Sequence, residues 1–241
     1  LINKVINQSI GVLCATVLFQ CFTPFHYIHL KHHRYTNDTE LDPDVWASEG
    51  PWYILPLKWL SLEAVYWHYY LSRVKTRPFW ECITTFANLF ILYGSTFYLH
   101  NWGYTNTLLY AWILPGYLAK AALTFSFDYL PHRHDHHDHS SNHLSDKTST
   151  GSMNIKKLVT RAENEYLATS VVSLYKHQIS CLTLPLMYQN YHLIHHLAPY
   201  VPFYQYETIW KQAKEELMEN GSQIIPIIPD IQQSIHEKKG I

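Results

Sequence analysis

Six histidines in this chain occur in two copies of one spacing, a histidine followed three and four residues later by two more. The copies are His29, His32 and His33, and, far along the chain, His192, His195 and His196. With 17 histidines in 241 residues, chance would produce one such copy about 0.08 times and two copies roughly 0.003 times. On a helix, positions three and four residues apart share a face, so each copy would direct three imidazoles into one small volume. The spacing therefore predicts a metal site.

Core packing or a solvated loop explains most single histidines. Two triplets are harder to explain in this way, because six neutral imidazoles packed together need a metal or many acceptors as partners. A seventh candidate, His132, stands where an apolar stretch ends. Seven imidazoles exceed the four ligands of one zinc ion and suit two metal ions held by nitrogen donors.

Polar side chains near the triplets and near His132 could hold the imidazoles in place. A carboxylate can accept a hydrogen bond from the outer ring nitrogen of a metal-bound histidine and so fix its tautomer. The candidates for this role are Asp38, Asp42, Asp44 and Asp128. Asn190, just before the second triplet, could act in the same way or hold a metal-bound water. The alternative for Asp42-Pro43-Asp44 is that the segment is only a turn.

Two long apolar stretches separate the triplets. Residues 79–100 carry one charged side chain, Glu81, and residues 105–127 carry one, Lys120. Each stretch is long enough to cross roughly 30 Å of hydrocarbon as a helix, and the short connection predicts a hairpin. A third run, residues 9–25, is uncharged but marginal in length, so it spans the membrane, lies in the interface or re-enters. The alternative is a buried hairpin in a large soluble protein.

The distribution of basic residues predicts the orientation of this hairpin. Arg73, Lys75 and Arg77 precede it and Arg133 follows it, whereas its short turn contains no lysine or arginine. By the positive-inside tendency the basic face is cytoplasmic. One triplet precedes the hairpin and the other follows it, so both are expected on that cytoplasmic face.

A metal pair where the spans leave the bilayer would be accessible to an apolar substrate. A redox-active pair can there reduce dioxygen and attack an unactivated C–H bond, which side chains alone cannot do, and iron is the natural choice. Electrons must come from a separate protein, because no phosphate-cradling loop occurs among only eight glycines. The net charge of −1 gives no electrostatic indication of nucleic-acid binding.

Three segments of the chain resemble the membrane fatty acid desaturase superfamily, and most closely its β-carotene hydroxylase branch. The segments are His29-Leu-Lys-His32-His33-Arg-Tyr-Thr-Asn37-Asp38 with Leu41-Asp-Pro-Asp44, then Phe127-Asp-Tyr-Leu-Pro-His132-Arg133, and Gln189-Asn-Tyr-His192-Leu-Ile-His195-His196-Leu. The resemblance implies an all-α fold, an integral membrane helical domain with a cytosolic cap that carries a histidine-ligated di-iron site. This catalytic domain would occupy residues 1–206. Residues 207–241 would form a peripheral cytosolic helix, amphipathic from 207 to 219 and stopped by Gly221, and an extended tail.

The resemblance also implies a set of iron ligands. They would be His29, His32, His33, His132, His192, His195 and His196. The family's first histidine box, of the HxxxH type, is missing here and would fall upstream of Leu1, so we interpret the chain as a fragment truncated at its N-terminus. After Arg133 the family usually continues with proline and a short basic segment, whereas residues 134–143 here are rich in histidine and aspartate. This run is either a loose metal-catching loop, with His136 as an extra ligand, or a polar surface insertion, which we favour.

The leading functional hypothesis is an O2-dependent oxidoreductase that acts on C–H bonds of a lipid. The motifs favour hydroxylation of a carotenoid-type ring over desaturation of an acyl lipid. Either reaction would use two non-haem iron ions, O2 as co-substrate and a ferredoxin- or cytochrome-type electron donor. The competing hypothesis is a histidine-rich membrane metal transporter. Such a transporter needs polar residues along its spans, and Glu81, Asn88 and Lys120 are too few and too scattered.

Overall fold

The described part of the chain is mostly helical and falls into two compact units. The computed structural model describes residues 3–133, 166–167, 169–173 and 183–226. The units are Leu1–Asp128 and Tyr129–Ile241. The helical class predicted from the sequence is confirmed, although the prediction of an all-α chain is wrong in one element, a small sheet in the second unit. The predicted domain boundary after residue 206 stays a prediction.

Among its described residues, the first unit contains five long helices. They are α1 (Lys4–Val17), α2 (Phe22–Tyr35), α3 (Leu55–Ser72), α4 (Phe79–Asn101) and α5 (Thr105–Tyr129), of which α5 includes the π-helical segments Leu109–Ile113 and Thr124–Tyr129. A short 3-10 turn, Pro43–Ala47, lies between α2 and α3. The core of this unit packs α2 against α3, through Tyr27, Ile28, Leu62, Tyr66 and Tyr70.

Helices α4 and α5 are the predicted membrane hairpin, and the structure confirms them as candidate spans. They contain 23 and 25 residues, each with a mean hydropathy of 1.3. Large apolar side chains point away from the protein, such as Phe90, which is 79% exposed. So much exposed apolar surface is unfavourable in water and suits a bilayer. Glu81, the one charged residue in α4, pairs with Arg77 through two contacts of 2.6 and 2.8 Å, so its charge is compensated at the start of the span.

The third apolar run does not form one straight helix. It is divided between α1 and α2, whose axes are bent by 105°, which leaves either a broken span or a re-entrant segment. The break occurs at residues 18–21, where Phe19 adopts a left-handed backbone with φ 53°. Pro24 lies in the first turn of α2, where its missing N–H leaves no intrahelical bond unmade.

In the part that the structure describes, the second unit combines two α-helices with two short strands. The strands β1 (Ser170–Ser173) and β2 (Gln223–Pro226) pair in parallel, with Val171 opposite Ile224. The helices are α6 (His192–Leu197) and α7 (Tyr206–Glu219). The predicted amphipathic helix is confirmed as α7, whose Trp210 and Leu217 are buried against Leu193 and Ile194 of α6.

Candidate metal centre

Helix α2 presents the first histidine triplet on one face, as the spacing predicts. The Nε2 atoms of His29 and His33 are 3.1 Å apart. His32 lies one turn after Ile28, and both are buried in the face that packs towards α3. The Nδ1 atom of His32 contacts both carboxylate oxygens of Asp42, at 2.9 and 3.0 Å.

Asp42 orients the His32 ring and shapes the turn that follows α2. Its side chain accepts hydrogen bonds from the backbone N–H of Asn37 at 2.8 Å and of Asp44 at 3.0 Å, in addition to the His32 contact. It is buried and caps the 3-10 turn Pro43–Ala47. The segment is therefore a turn that also contacts a histidine. Because a carboxylate accepts hydrogen bonds, Asp42 keeps a proton on His32 Nδ1, so Nε2 is the nitrogen that could bind a metal. Although burial opposes the charged ring, Asp44 and Asp42 raise the pKa of His32 to about 9, so a metal at Nε2 would have to displace a proton.

Asp44 adds a second buried carboxylate beside His32. One of its oxygens lies 3.3 Å from His32 Nδ1, and the other accepts a 2.5 Å hydrogen bond from the hydroxyl of Tyr66. Burial raises the pKa of Asp44 to about 6, although the nearby His32 and the Tyr66 hydrogen bond oppose the shift. Burial and these carboxylates raise the pKa of Tyr66 well above its usual value, so its hydroxyl stays a donor.

The other two candidate aspartates occupy different surroundings. Asp128, near the end of α5, lies close enough to His32 and Asp44 for their charges to interact. Asp38 is exposed, and its side chain accepts the backbone N–H groups of Glu40 and Leu41 at 2.9 and 3.0 Å. Its described hydrogen bonds thus close a turn rather than orient an imidazole.

The second unit brings His132 together with the second triplet. One possible ligand atom each from His132, His192 and His196 lies within 4.8 Å of the others. The His192 and His196 Nε2 atoms are 3.1 Å apart. The chain beside His132 is held by β1, because the backbone N–H and the hydroxyl of Ser170 both donate to the Pro131 carbonyl at 2.9 Å.

Two groups that contact the outer nitrogens of this triplet were not identified from the sequence. Gln189 Oε1 accepts a hydrogen bond from His192 Nδ1 at 3.1 Å, and the Tyr206 hydroxyl lies 3.0 Å from His195 Nδ1. Gln189 precedes His192 by one helical turn, so helical spacing could have indicated it. Tyr206 begins the next helix, and no local pattern connects it to His195.

Asn190, predicted as a supporting residue, is buried just before α6. Among the described residues its side-chain oxygen has no hydrogen-bond partner. A buried polar atom of this kind is costly unless something binds it. The oxygen is therefore suited to a water molecule or to a further polar group. His136 and the rest of residues 134–143 lie outside the described residues.

The donor atoms fit a transition-metal ion. In His32 and His192 the proton on Nδ1 is held by an oxygen acceptor, so Nε2, on the other side of the ring, is the atom that could bind a metal. His192 Nε2 then lies 3.1 Å from His196 Nε2. At this separation two lone pairs repel each other, so either a proton or a metal ion must lie near them. Neutral imidazoles supported by outer acceptors are the usual ligand arrangement for such an ion.

The described residues thus combine two candidate membrane-spanning helices with histidine clusters that could hold a metal ion. The sequence model of the fatty acid desaturase family matches residues 2–227. The chain therefore belongs to the fatty acid desaturase family, which is generally di-iron dependent and acts on lipids as a desaturase or hydroxylase-type oxidoreductase. No curated protein and no solved structure matches the chain.

Proposed function

We propose that this protein is a membrane-bound, O2-dependent di-iron hydroxylase of a carotenoid-type ring. The observation that carries the proposal is the pairing of Nε2 atoms at 3.1 Å in both triplets, with acceptors behind the outer nitrogens. Membership of the family supports lipid oxidation in general. Likeness of motifs to the hydroxylase branch favours an alcohol product, and desaturation of an acyl lipid is the second candidate.

Seven histidines would hold the two irons. They are His29, His32, His33, His132, His192, His195 and His196. Bound iron supplies the activation of dioxygen that oxidation of an unactivated C–H bond requires. We assign no ligand to residues 134–143, although His136 stays a candidate.

The supporting residues would keep the imidazoles in the geometry and tautomer that metal binding needs. Asp42 and Gln189 hold the protons of His32 and His192 on Nδ1, which leaves Nε2 as the donor atom. Tyr206 restrains the His195 ring, and Tyr66 keeps Asp44 directed at His32. Asp128 would place a further buried carboxyl group beside the same histidine. Asn190 would bind a water molecule near the second cluster through its buried oxygen.

The membrane context determines how the substrate and the electrons arrive. An apolar substrate would enter from the bilayer beside the hairpin of α4 and α5. By the distribution of basic residues, both histidine clusters would face the cytoplasm. A soluble ferredoxin- or cytochrome-type protein would deliver electrons from that side.

The test is to express the protein in cells that accumulate β-carotene and to analyse both carotenoids and acyl lipids. We expect hydroxylated carotenoid from the wild type and none from His195→Ala. His100→Ala is the matched control, because His100 lies in the last turn of α4 and contacts Thr105 at the start of α5. It should leave the product unchanged and insert into the membrane equally well.

Three outcomes would contradict the proposal. A new double bond in acyl lipids without hydroxylated carotenoid would identify the protein as a desaturase. Product formation by His195→Ala would exclude that residue as a ligand. Purified protein that holds zinc or manganese, and consumes no O2 with a reductant, would indicate a transporter.

A further inference from the structure

The bend between α1 and α2, residues 18–21, is strained and enclosed. Phe19 is a buried non-glycine residue with φ 53°, a backbone conformation that L-residues adopt at a cost. The Phe19 N–H donates a hydrogen bond to the Thr16 carbonyl at 2.9 Å, and the Gln20 N–H donates one to the Ala15 carbonyl at the same distance. Such a conformation persists only where the surrounding structure enforces it.

One charged residue of the α5 span contacts this bend. Lys120 Nζ donates to the Phe19 carbonyl at 3.3 Å and forms an ion pair with Glu63 of α3. The ammonium group also lies 3.9 Å from the centre of the Tyr117 ring. A lysine within a span is costly unless it is paired, so the contacts that Lys120 makes indicate a task that an apolar residue would not perform. Because Lys120 contacts the Phe19 carbonyl, we infer that it stabilises the bend.

The backbone of α5 also packs directly against the bend. A Cβ atom added at Gly116 would lie 2.9 Å from the Leu18 carbonyl oxygen, which is closer than real Cβ atoms approach backbone. The Trp112 indole N–H donates to the Thr16 carbonyl at 3.0 Å, and its ring meets the Phe19 ring edge-on. The close approach therefore depends on the absence of a side chain at position 116.

The direction of α2 controls where its histidines lie. His33 stands about 17 Å along the helix from Phe22, so a rotation of only 10° at the bend would move its imidazole by about 3 Å. Metal–ligand distances tolerate deviations of roughly 0.2 Å. A bend that opened by a few degrees would therefore misplace the first triplet.

We propose that Lys120, Glu63 and Gly116 act as positioning residues, whose contacts fix the angle between α1 and α2 at residues 18–21. This angle determines where the histidines of α2 lie, and we call this set of contacts the lock. The lock would hold a re-entrant or broken segment at a fixed angle by joining α3 and α5 to the bend. The inference rests on the proposed function only where it assigns metal binding to the histidines of α2. The lock is a geometric property and can be measured without metal.

The experiment measures the bend directly by electron-electron distance spectroscopy. A ketone-bearing amino acid at exposed positions Ile6 and Leu30 carries the spin labels, so the native cysteines stay in place. From the helix rise and the 105° bend, the labelled positions should lie about 22 Å apart, against about 35 Å for a straight helix. In Lys120→Met and Gly116→Ala we expect the distance to lengthen by roughly 5 Å or its distribution to broaden strongly, and Lys120→Arg to keep the wild-type value.

Matched controls separate this effect from general damage. Gly94→Ala also places an alanine in a span, but its Cβ would meet nothing within 4 Å. Lys211→Met removes an exposed ion pair with Glu207 on α7. Both should keep the wild-type distance. If Lys120→Met does not fold, Gly116→Ala and Lys120→Arg still decide the matter.

Iron content provides the second measurement. In Gly116→Ala we expect at least a tenfold weaker retention of iron against a chelator, with Gly94→Ala unchanged. An unaltered label distance in Gly116→Ala would overturn the lock, whatever the iron content. A wild type that keeps the 22 Å distance but binds no iron would instead refute the proposed function and leave the lock standing.

Discussion

Replacement of Asp42 by asparagine tests the arrangement behind the first triplet. The change preserves shape and removes one acceptor oxygen and the negative charge. Both oxygens of Asp42 accept from His32 Nδ1. In addition, Oδ1 accepts from the Asp44 N–H and Oδ2 accepts from the Asn37 N–H. Whichever oxygen is replaced by the amide NH2 group of asparagine, that NH2 group will face an N–H donor.

Two magnitudes follow from this geometry. Loss of an acceptor behind a metal-bound histidine weakens metal binding by about 10- to 100-fold, or roughly 1.4–2.8 kcal/mol. Loss of one charge-assisted hydrogen bond in a buried site lowers the free energy of unfolding by about 1.5–3 kcal/mol. Asp42→Asn should therefore bind iron more weakly and also unfold more easily without metal.

The assay is competition for Fe(II) between the detergent-solubilised protein and a coloured chelator, together with thermal unfolding of the metal-free form. Asp38→Asn is the matched control, since Asp38 is exposed and its side chain accepts only N–H groups of its own turn among the described contacts. We expect less than about 0.5 kcal/mol of destabilisation there and unchanged iron affinity. Equal iron affinities for Asp42→Asn and wild type would refute the reasoning.

Three further predictions concern Tyr206, Tyr66 and the metal. Tyr206→Phe removes the hydroxyl beside His195 but keeps the buried ring, so iron affinity should fall about tenfold in the chelator assay while unfolding changes by about 1 kcal/mol; equal affinity would contradict the contact. In metal-free protein the pKa of Asp44 is raised to about 6, so the free energy of unfolding falls as the pH rises towards that value. The Tyr66 hydroxyl reduces this loss, because it donates a hydrogen bond to the ionised carboxylate. Tyr66→Phe should therefore destabilise more at pH 8 than at pH 5 in denaturant unfolding, and an equal loss at both pH values would argue against the ion-stabilising role. Saturation with iron at 100 times its dissociation constant should add about 2.7 kcal/mol per bound iron to the free energy of unfolding, an increment that a chelator removes and that is smaller in His195→Ala.

Much of the architecture was predictable because it depends on local periodicity. The spacing of His29, His32 and His33 places three rings on one face of any helix, and α2 is a helix. The lengths and apolarity of residues 79–100 and 105–127 predicted the spans that became α4 and α5. The motifs also predicted the family. None of these inferences requires knowledge of which distant residues meet.

The remaining features depend on contacts between segments far apart in the chain. Spacing alone could not choose between Asp38 and Asp42 as the partner of His32, because the path of the turn decides which carboxylate is buried. It could not connect Tyr206 with His195, or pair β1 with β2, since parallel pairing joins segments without a shared local pattern. The bend at Phe19 is the clearest case. Composition left open whether residues 9–25 span the membrane, lie in the interface or re-enter. The bend becomes visible only in the tertiary structure, where α3 and α5 pack against it and Lys120 contacts both Glu63 and the Phe19 carbonyl.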